Sequence, residues 1–178
     1  MTTFTVVTGS HKKAGESTRI GNWFAAELES RGHTIHKIHL ADVDLPMWDE
    51  GMWGVDGLKE KWAEHWTPLQ EKLQASDGIV CISPEYAGMV PAKLKNFFLF
   101  PNQMDLGHKA GMIVSVSSGV NGVYPVAELR AHTVKNCKLC WTPEHLIVRS
   151  AEDMFKENSE NEHAKDTKIR AKFALDVL

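Results

Sequence analysis

Five short apolar runs, separated by segments of helical periodicity, constrain this 178-residue chain more than any other feature. The runs cover residues 4–8, 34–40, 78–83 and 109–117, with the last somewhere between Lys138 and Val148. The fourth carries Met112, Ile113, Val114 and Val116 almost without interruption, as a strand buried on both faces requires. Strands that alternate with helices call for a parallel sheet covered by helices on both sides.

The intervening segments support that reading. Ile20, Trp23, Phe24 and Leu28 share one face of a helix expected to start near Ser17, with Gly32 just beyond its end. A second helix is expected over residues 58–74. Pro91 suits the first turn of a third, 92–98, which ends before Pro101. Pro125 sits early in a fourth that reaches Val134, and a terminal helix is expected from about Asp166, after a polar loop over 154–163. No repeat or linker divides the chain, so residues 1–178 are read as a single domain. The expected fold is α/β: a flavodoxin-like three-layer sandwich whose five-stranded parallel sheet has the order 2-1-3-4-5.

A hydrophobic content of 43% is enough for a real core at this length. The formal charge of −3 and the absence of a basic stripe exclude a nucleic-acid partner. No apolar run is long enough to span a bilayer, and Met1-Thr2-Thr3-Phe4 does not open like a secretory leader. Three cysteines fit a reduced interior better than a disulfide framework, so a soluble cytoplasmic protein is expected.

Three strand-ending loops carry the candidate chemistry. The first reads Gly9-Ser10-His11-Lys12-Lys13-Ala14-Gly15-Glu16-Ser17-Thr18-Arg19. Backbone donors at a helix start stabilise a phosphate; Ser10, Ser17 and Thr18 add hydroxyls and Lys12 adds charge. It is neither a Walker loop nor Gly-x-Gly-x-x-Gly, and Ser17 also suits a simple helix cap. In the second loop, Pro84-Glu85-Tyr86-Ala87-Gly88, the prolines at 84 and 91 stiffen the chain. Gly88 permits close backbone approach or positive φ, and Tyr86 offers a face to a flat ring. Backbone donors near residues 85–88 are expected to meet the polar edge of that ring. The third loop, Ser117-Ser118-Gly119-Val120-Asn121-Gly122, brings two glycines to its other edge. A phosphate plus a flat ring points to a mononucleotide, a flavin in particular.

These residues resemble the NADPH-dependent FMN reductases, a family that includes quinone, azo-dye and chromate reductases. The resemblance runs from Phe4 to about Arg130. Its strongest motif is Ser83-Pro84-Glu85-Tyr86-Ala87-Gly88-Met89-Val90-Pro91-Ala92-Lys93-Leu94-Lys95-Asn96. Gly9-Ser10 with Ser17 resembles the family's phosphate loop, with Lys12 where an arginine is usual. Ser118-Gly119, Gly122 and Leu129-Arg130 are similar to its third motif. The resemblance implies FMN as cofactor, with its phosphate on the first loop and its ring on the second. It also implies NADPH or NADH as co-substrate, a small-molecule electron acceptor, a homodimer or homotetramer, and ping-pong turnover with no acid–base side chain. Phe97-Phe98-Leu99-Phe100-Pro101 departs from it, because an acidic residue and an aromatic commonly follow Leu-Lys-Asn. The competing class is a flavodoxin-type electron carrier that takes electrons from a partner protein.

Other signals are read as structural. Cys137-Lys138-Leu139-Cys140 enters the last strand instead of opening a helix, so buried thiols are expected there, not a redox pair. His33 and His39 share one strand face while His36 lies on the other, which argues against a shared metal. Trp62 and Trp66 are one helical turn apart on a face expected to be buried. Trp48 and Trp53 belong either to a lid or subunit contact, or to a loop packed on its own core.

Overall fold

The computed structural model describes residues 1–53, 58–156 and 160–178, without the side chains of 53 and 58–61. Its elements follow in the order β1 (Thr3–Thr8), α1 (Glu16–Ser30), β2 (Thr34–His39), α2 (Leu58–Gln74), β3 (Gly78–Pro84), α3 (Ala92–Phe97), α4 (Gln103–Leu106), β4 (Ala110–Val116), α5 (Tyr124–His132), α6 (Val134–Cys137), β5 (Cys140–Val148) and α7 (Glu162–Val177). The sheet order is β2-β1-β3-β4-β5, and every pairing is parallel. This is the expected three-layer sandwich.

The two-residue period of the strands divides the core. Phe4, Val6, Val80, Ile82, Met112 and Val114 face α1 and α7, where Ile20, Phe24, Leu28, Ala171 and Leu175 close the layer. Val7, Ile79, Cys81 and Ile113 face the other side, against Trp62, Trp66, Leu69 and Leu73 of α2, Leu94 and Phe97 of α3, and Leu129 of α5. Each large side chain buried in this way contributes about 1.5–3 kcal/mol. α1 stops because Gly32 takes φ +84°. The His33 amide then reaches the Leu28 carbonyl at 3.2 Å and the Gly32 amide reaches that of Glu29 at 2.9 Å, a Schellman closure.

Three expectations need correction. The terminal helix begins at Glu162, not near Asp166, because the Asn161 side chain accepts from the His163 and Ala164 amides and caps it there. The fourth predicted helix breaks at Thr133, where α5 ends and the short α6 begins. Of the two thiols expected to be buried, Cys137 is, but Cys140 is exposed at the start of edge strand β5. Trp62 and Trp66 are 2% and 4% exposed, as their spacing predicted. Trp48 is partly buried against the core, whereas the Trp53 side chain lies outside the described residues.

Candidate functional site

The chain leaves β1 for β2 on one side of the sheet and then builds β3, β4 and β5 on the other. The loops after β1 and β3 therefore part at the carboxyl ends of adjacent strands, where open α/β sheets form a crevice. The two loops stay joined at their base: the Gly9 amide donates to the Ile82 carbonyl at 2.8 Å. Gly9 lies against α3 so closely that an added Cβ would fall 2.4 Å from Leu94 Cδ2.

At the start of α1, Gly15 occupies the cap position in extended backbone with no side-chain cap. Its carbonyl accepts from the Thr18 and Arg19 amides, and the first-turn donors ahead of them have no partner among the described residues. Ser10 and Ser17, both buried, stand beside them. The Ser10 and Tyr86 hydroxyls share a hydrogen bond of 2.9 Å, and the Lys12 amide donates to Ser10 Oγ at 3.0 Å. The Tyr86 ring also meets the His11 ring at 4.9 Å between centroids and Lys12 Nζ at 5.8 Å.

The second loop is a tight hairpin. Tyr86 and Met89 exchange both backbone hydrogen bonds at 3.0 Å, with Ala87 at φ 52° and Gly88 at φ 73° between them. Two positive φ values in a two-residue turn are the type I′ pattern that glycine favours. The expectation of positive φ at Gly88 holds. The expected row of free ring-facing donors is shorter than predicted. The Glu85 amide is spent on the Val116 carbonyl and the Tyr86 amide on Met89, leaving the hairpin tip at Ala87 and Gly88 to face outward.

The third loop is held from three sides. Glu85 Oε2 accepts from the Gly122 amide at 2.7 Å, so this carboxylate ties the second loop to the third. Arg149 Nε donates to the Val120 and Asn121 carbonyls, and the Ser150 amide donates to the carbonyl of Gly119. Gly122, at φ 104°, has no room for a Cβ, which would come 2.7 Å from Ile147 Cγ2. The Gly119 amide is taken by Ser117 Oγ at 3.3 Å. Ser117 and Gly122 are buried in the frame of the loop, while Ser118 faces the crevice.

One cavity of about 210 Å³ joins the three loops; Ser10, Lys12, Ser17, Pro84, Glu85, Tyr86 and Ser118 line it. Thr18 lines an adjoining groove with Arg19 and Asn22 instead. Glu16 and Glu152 also face the cavity, and the sequence reading named neither as a site residue. Glu152 comes from the turn after β5, which Arg19 secures by donating to the Ala151 and Met154 carbonyls at 2.7 and 2.6 Å. The same guanidinium pairs with Glu16. No local pattern around Glu152 marks it, because it arrives through a contact 132 residues distant in sequence.

The Lys93-Leu94-Lys95-Asn96 segment proves to be a brace. Lys93 Nζ donates to the Leu40 and Val43 carbonyls at 2.8 and 3.1 Å. Asn96 donates to the Pro46 carbonyl and accepts from the Trp48 amide, both at 2.8 Å. Lys95 pairs with Glu128 at 2.6 Å, and Glu128 also accepts from the Val90 amide at 2.8 Å. Partial burial alone would raise the Glu128 carboxyl, but these two hydrogen bonds and the Lys95 charge outweigh it and hold the group below the usual carboxylate range. At the other end of the sheet, burial pushes the Cys137 thiol up, away from redox reactivity.

The model of a family described as NADPH-dependent FMN reductase matches residues 2–153. An NADPH azoreductase of a Bacillus species is 21% identical over 117 residues; the match covers 66% of this chain and 60% of the length of that relative. Among solved structures, the flavoenzyme NAD(P)H:(acceptor) oxidoreductase FerB of Paracoccus denitrificans superposes with a TM-score of 0.76 at 21% identity, over 99% of this chain and 95% of the other. An NADH:FMN oxidoreductase in its apo form gives 0.74 at 15% identity, over 100% and 91%. An FMN-dependent NADH-azoreductase of Bacillus anthracis, solved with FMN, gives 0.63 at 14% identity, over 98% and 100%. At such identities these structures speak for the fold.

Proposed function

The chain belongs to the NADPH-dependent FMN reductase family, and from that membership we propose that it is an FMN-dependent NAD(P)H oxidoreductase acting on a small planar acceptor. One observation carries the reading: an uncapped helix start and two hydroxyls share a cavity with the base of a tight hairpin, at the point where the strand order reverses. The donor set fits FMN. Ser10, Ser17, Lys12 and the first turn of α1, with Thr18 at its flank, would hold the phosphate. Pro84, Glu85, Tyr86, Ala87 and Gly88 would flank the ring on one side. Ser118 would face its other side, on a loop that Ser117, Gly119 and Gly122 hold in place.

When bound, FMN supplies the hydride chemistry, and the protein supplies binding and orientation. The amides at the tip of the Ala87-Gly88 turn would meet the polar edge of the ring and stabilise negative charge there. Met89, Val123 and Tyr124, all exposed, give the rim an apolar character that suits a quinone, an azo compound or a free flavin better than a metal oxyanion. Reduced nicotinamide and acceptor would use that one open face in turn, which is ping-pong turnover. A homodimer or homotetramer belongs to the same reading; Leu99 and Met104, exposed beyond α3, are candidates for its contact. The test is the visible absorbance of the FMN-loaded protein as NADPH is added without oxygen. Rapid bleaching is expected. A flavin that stays yellow overturns the reading in favour of an electron carrier fed by a partner protein.

A further inference from the structure

A second cavity, of about 530 Å³, lies between α2 and the turn that opens α4, and it shares no described residue with the cavity at the loops. Its volume falls in the range of about 300–1,000 Å³ that small-molecule sites occupy. Met52, Trp62 and Trp66 give it an apolar lining. Both indoles are almost fully buried and each meets the Phe100 ring at 5.2 Å between centroids, so packing holds this lining in place. The polar part is two amides, Gln70 and Asn102, and the fully buried Asp105 fixes what they present. Its carboxylate accepts from Gln70 Nε2 at 3.0 Å, from the Asn102 backbone amide at 2.8 Å and from Gln74 Nε2 at 2.9 Å. A carboxylate only accepts, so Gln70 turns its amino group to Asp105 and keeps its carbonyl oxygen for another partner. Asn102 is set the opposite way. Its Oδ1 accepts from the Met104 amide at 2.7 Å, which leaves its amino group to donate. Neither Gln70 Oε1 nor Asn102 Nδ2 has a partner among the described residues.

We propose that this cavity is a second ligand site, built for an uncharged planar ring with a lactam edge. The ring N–H donates to Gln70 Oε1, the adjacent ring carbonyl accepts from Asn102 Nδ2, and the body of the ring lies on the apolar lining. The two amides are tied to one carboxylate, so acceptor and donor stand on the same side of the cavity. No charged side chain lines it among the described residues, and a phosphate or carboxylate group on the ligand would find no counter-charge there. The site is independent of the flavin reading, because neither cavity draws on the lining of the other.

The test is calorimetric titration of the full chain with 2-quinolone and, separately, with quinoline, the same bicycle without the N–H and carbonyl edge. FMN is present in excess to occupy the cavity at the loops. The wild-type chain is expected to bind 2-quinolone about tenfold more tightly than quinoline, which leaves both amides unpaired. Asn102→Asp keeps an oxygen for the Met104 amide but removes the donor, so it should erase that preference and leave quinoline binding unchanged. Ala63→Phe, at an exposed position of α2 that lines the cavity, should abolish binding of both rings by filling the space. Equal affinity for the two rings, or a preference that survives Asn102→Asp, overturns the lactam assignment. Absence of binding to the wild-type chain, binding that survives Ala63→Phe, or displacement of 2-quinolone as FMN is raised overturns the second site itself. The flavin reading stands in each of these cases.

Discussion

Ser17 shows how one position separates a helix role from a ligand role. It is 4% exposed in the first turn of α1 and lines the cavity. An aspartate there gains from the helix dipole, which offsets part of its burial cost, but it repels a phosphate. Ser17→Asp is therefore expected to keep its far-UV spectrum while losing FMN affinity by about a hundredfold; undiminished affinity would remove Ser17 from the phosphate site. Gly88 and Gly9 fail for different reasons. At Gly88 the nearest atom to an added Cβ is Tyr124 Cδ2 at 3.7 Å, so the cost of Gly88→Val is the left-handed backbone itself, about 1–2 kcal/mol. At Gly9 the added atom strikes Leu94, and Gly9→Ala should lower the melting temperature by displacing α3. The sequence pointed to Ser10, Ser17, Tyr86 and Gly88 because hydroxyls, an aromatic and a glycine gather at the ends of two strands, although each alone also suits a cap or a turn. It was silent on Glu152 and on the partner of the Glu85 carboxylate, which bonds the third loop. Such long-range partners leave no local periodicity to read.

Among the elements, the six-residue α3 reaches three different neighbours. It supports the loop after β1 through Leu94, the loop after β2 through Lys93 and Asn96, and α5 through Lys95. Asn96→Ala would strand the Trp48 amide and the Pro46 carbonyl. A loss of about 1–3 kcal/mol is expected by denaturant titration, with a change in tryptophan emission. The Lys95–Glu128 pair adds a pH dependence. The folded-state value of Glu128 lies below its unfolded one, so its stabilisation is complete above the ordinary carboxylate range and is lost as pH falls through the depressed value. Exposure keeps this below about 1 kcal/mol. Acid unfolding of Glu128→Gln should show a correspondingly shallower loss of stability over that window. The strands were legible because alternation and continuous apolar runs report burial directly. The α5–α6 break and the early start of α7 were not. Thr133 carries no breaker signature, and the polar residues around Asn161 read as loop until the asparagine is seen to cap.

At the scale of the molecule, two apolar layers meet the sheet, and each relies on large buried side chains. Phe24→Ala, at a fully buried position of α1, is expected to cost about 3–5 kcal/mol by thermal unfolding. A milder result would mean that Trp23 and Phe155, which adjoin the ring, collapse into the space. The hydroxyl-to-hydroxyl contact of Ser10 and Tyr86 joins loops from two different crossovers and spans the two halves of the crevice. It makes fragments of a ligand interdependent. A phosphate-bearing piece that takes over the Ser10 hydroxyl releases Tyr86 before any ring arrives, so only the first piece bears the cost of breaking that bond. A ribityl phosphate and a tricyclic ring offered together would then bind more tightly than the product of their separate affinities predicts, even with no covalent link between them.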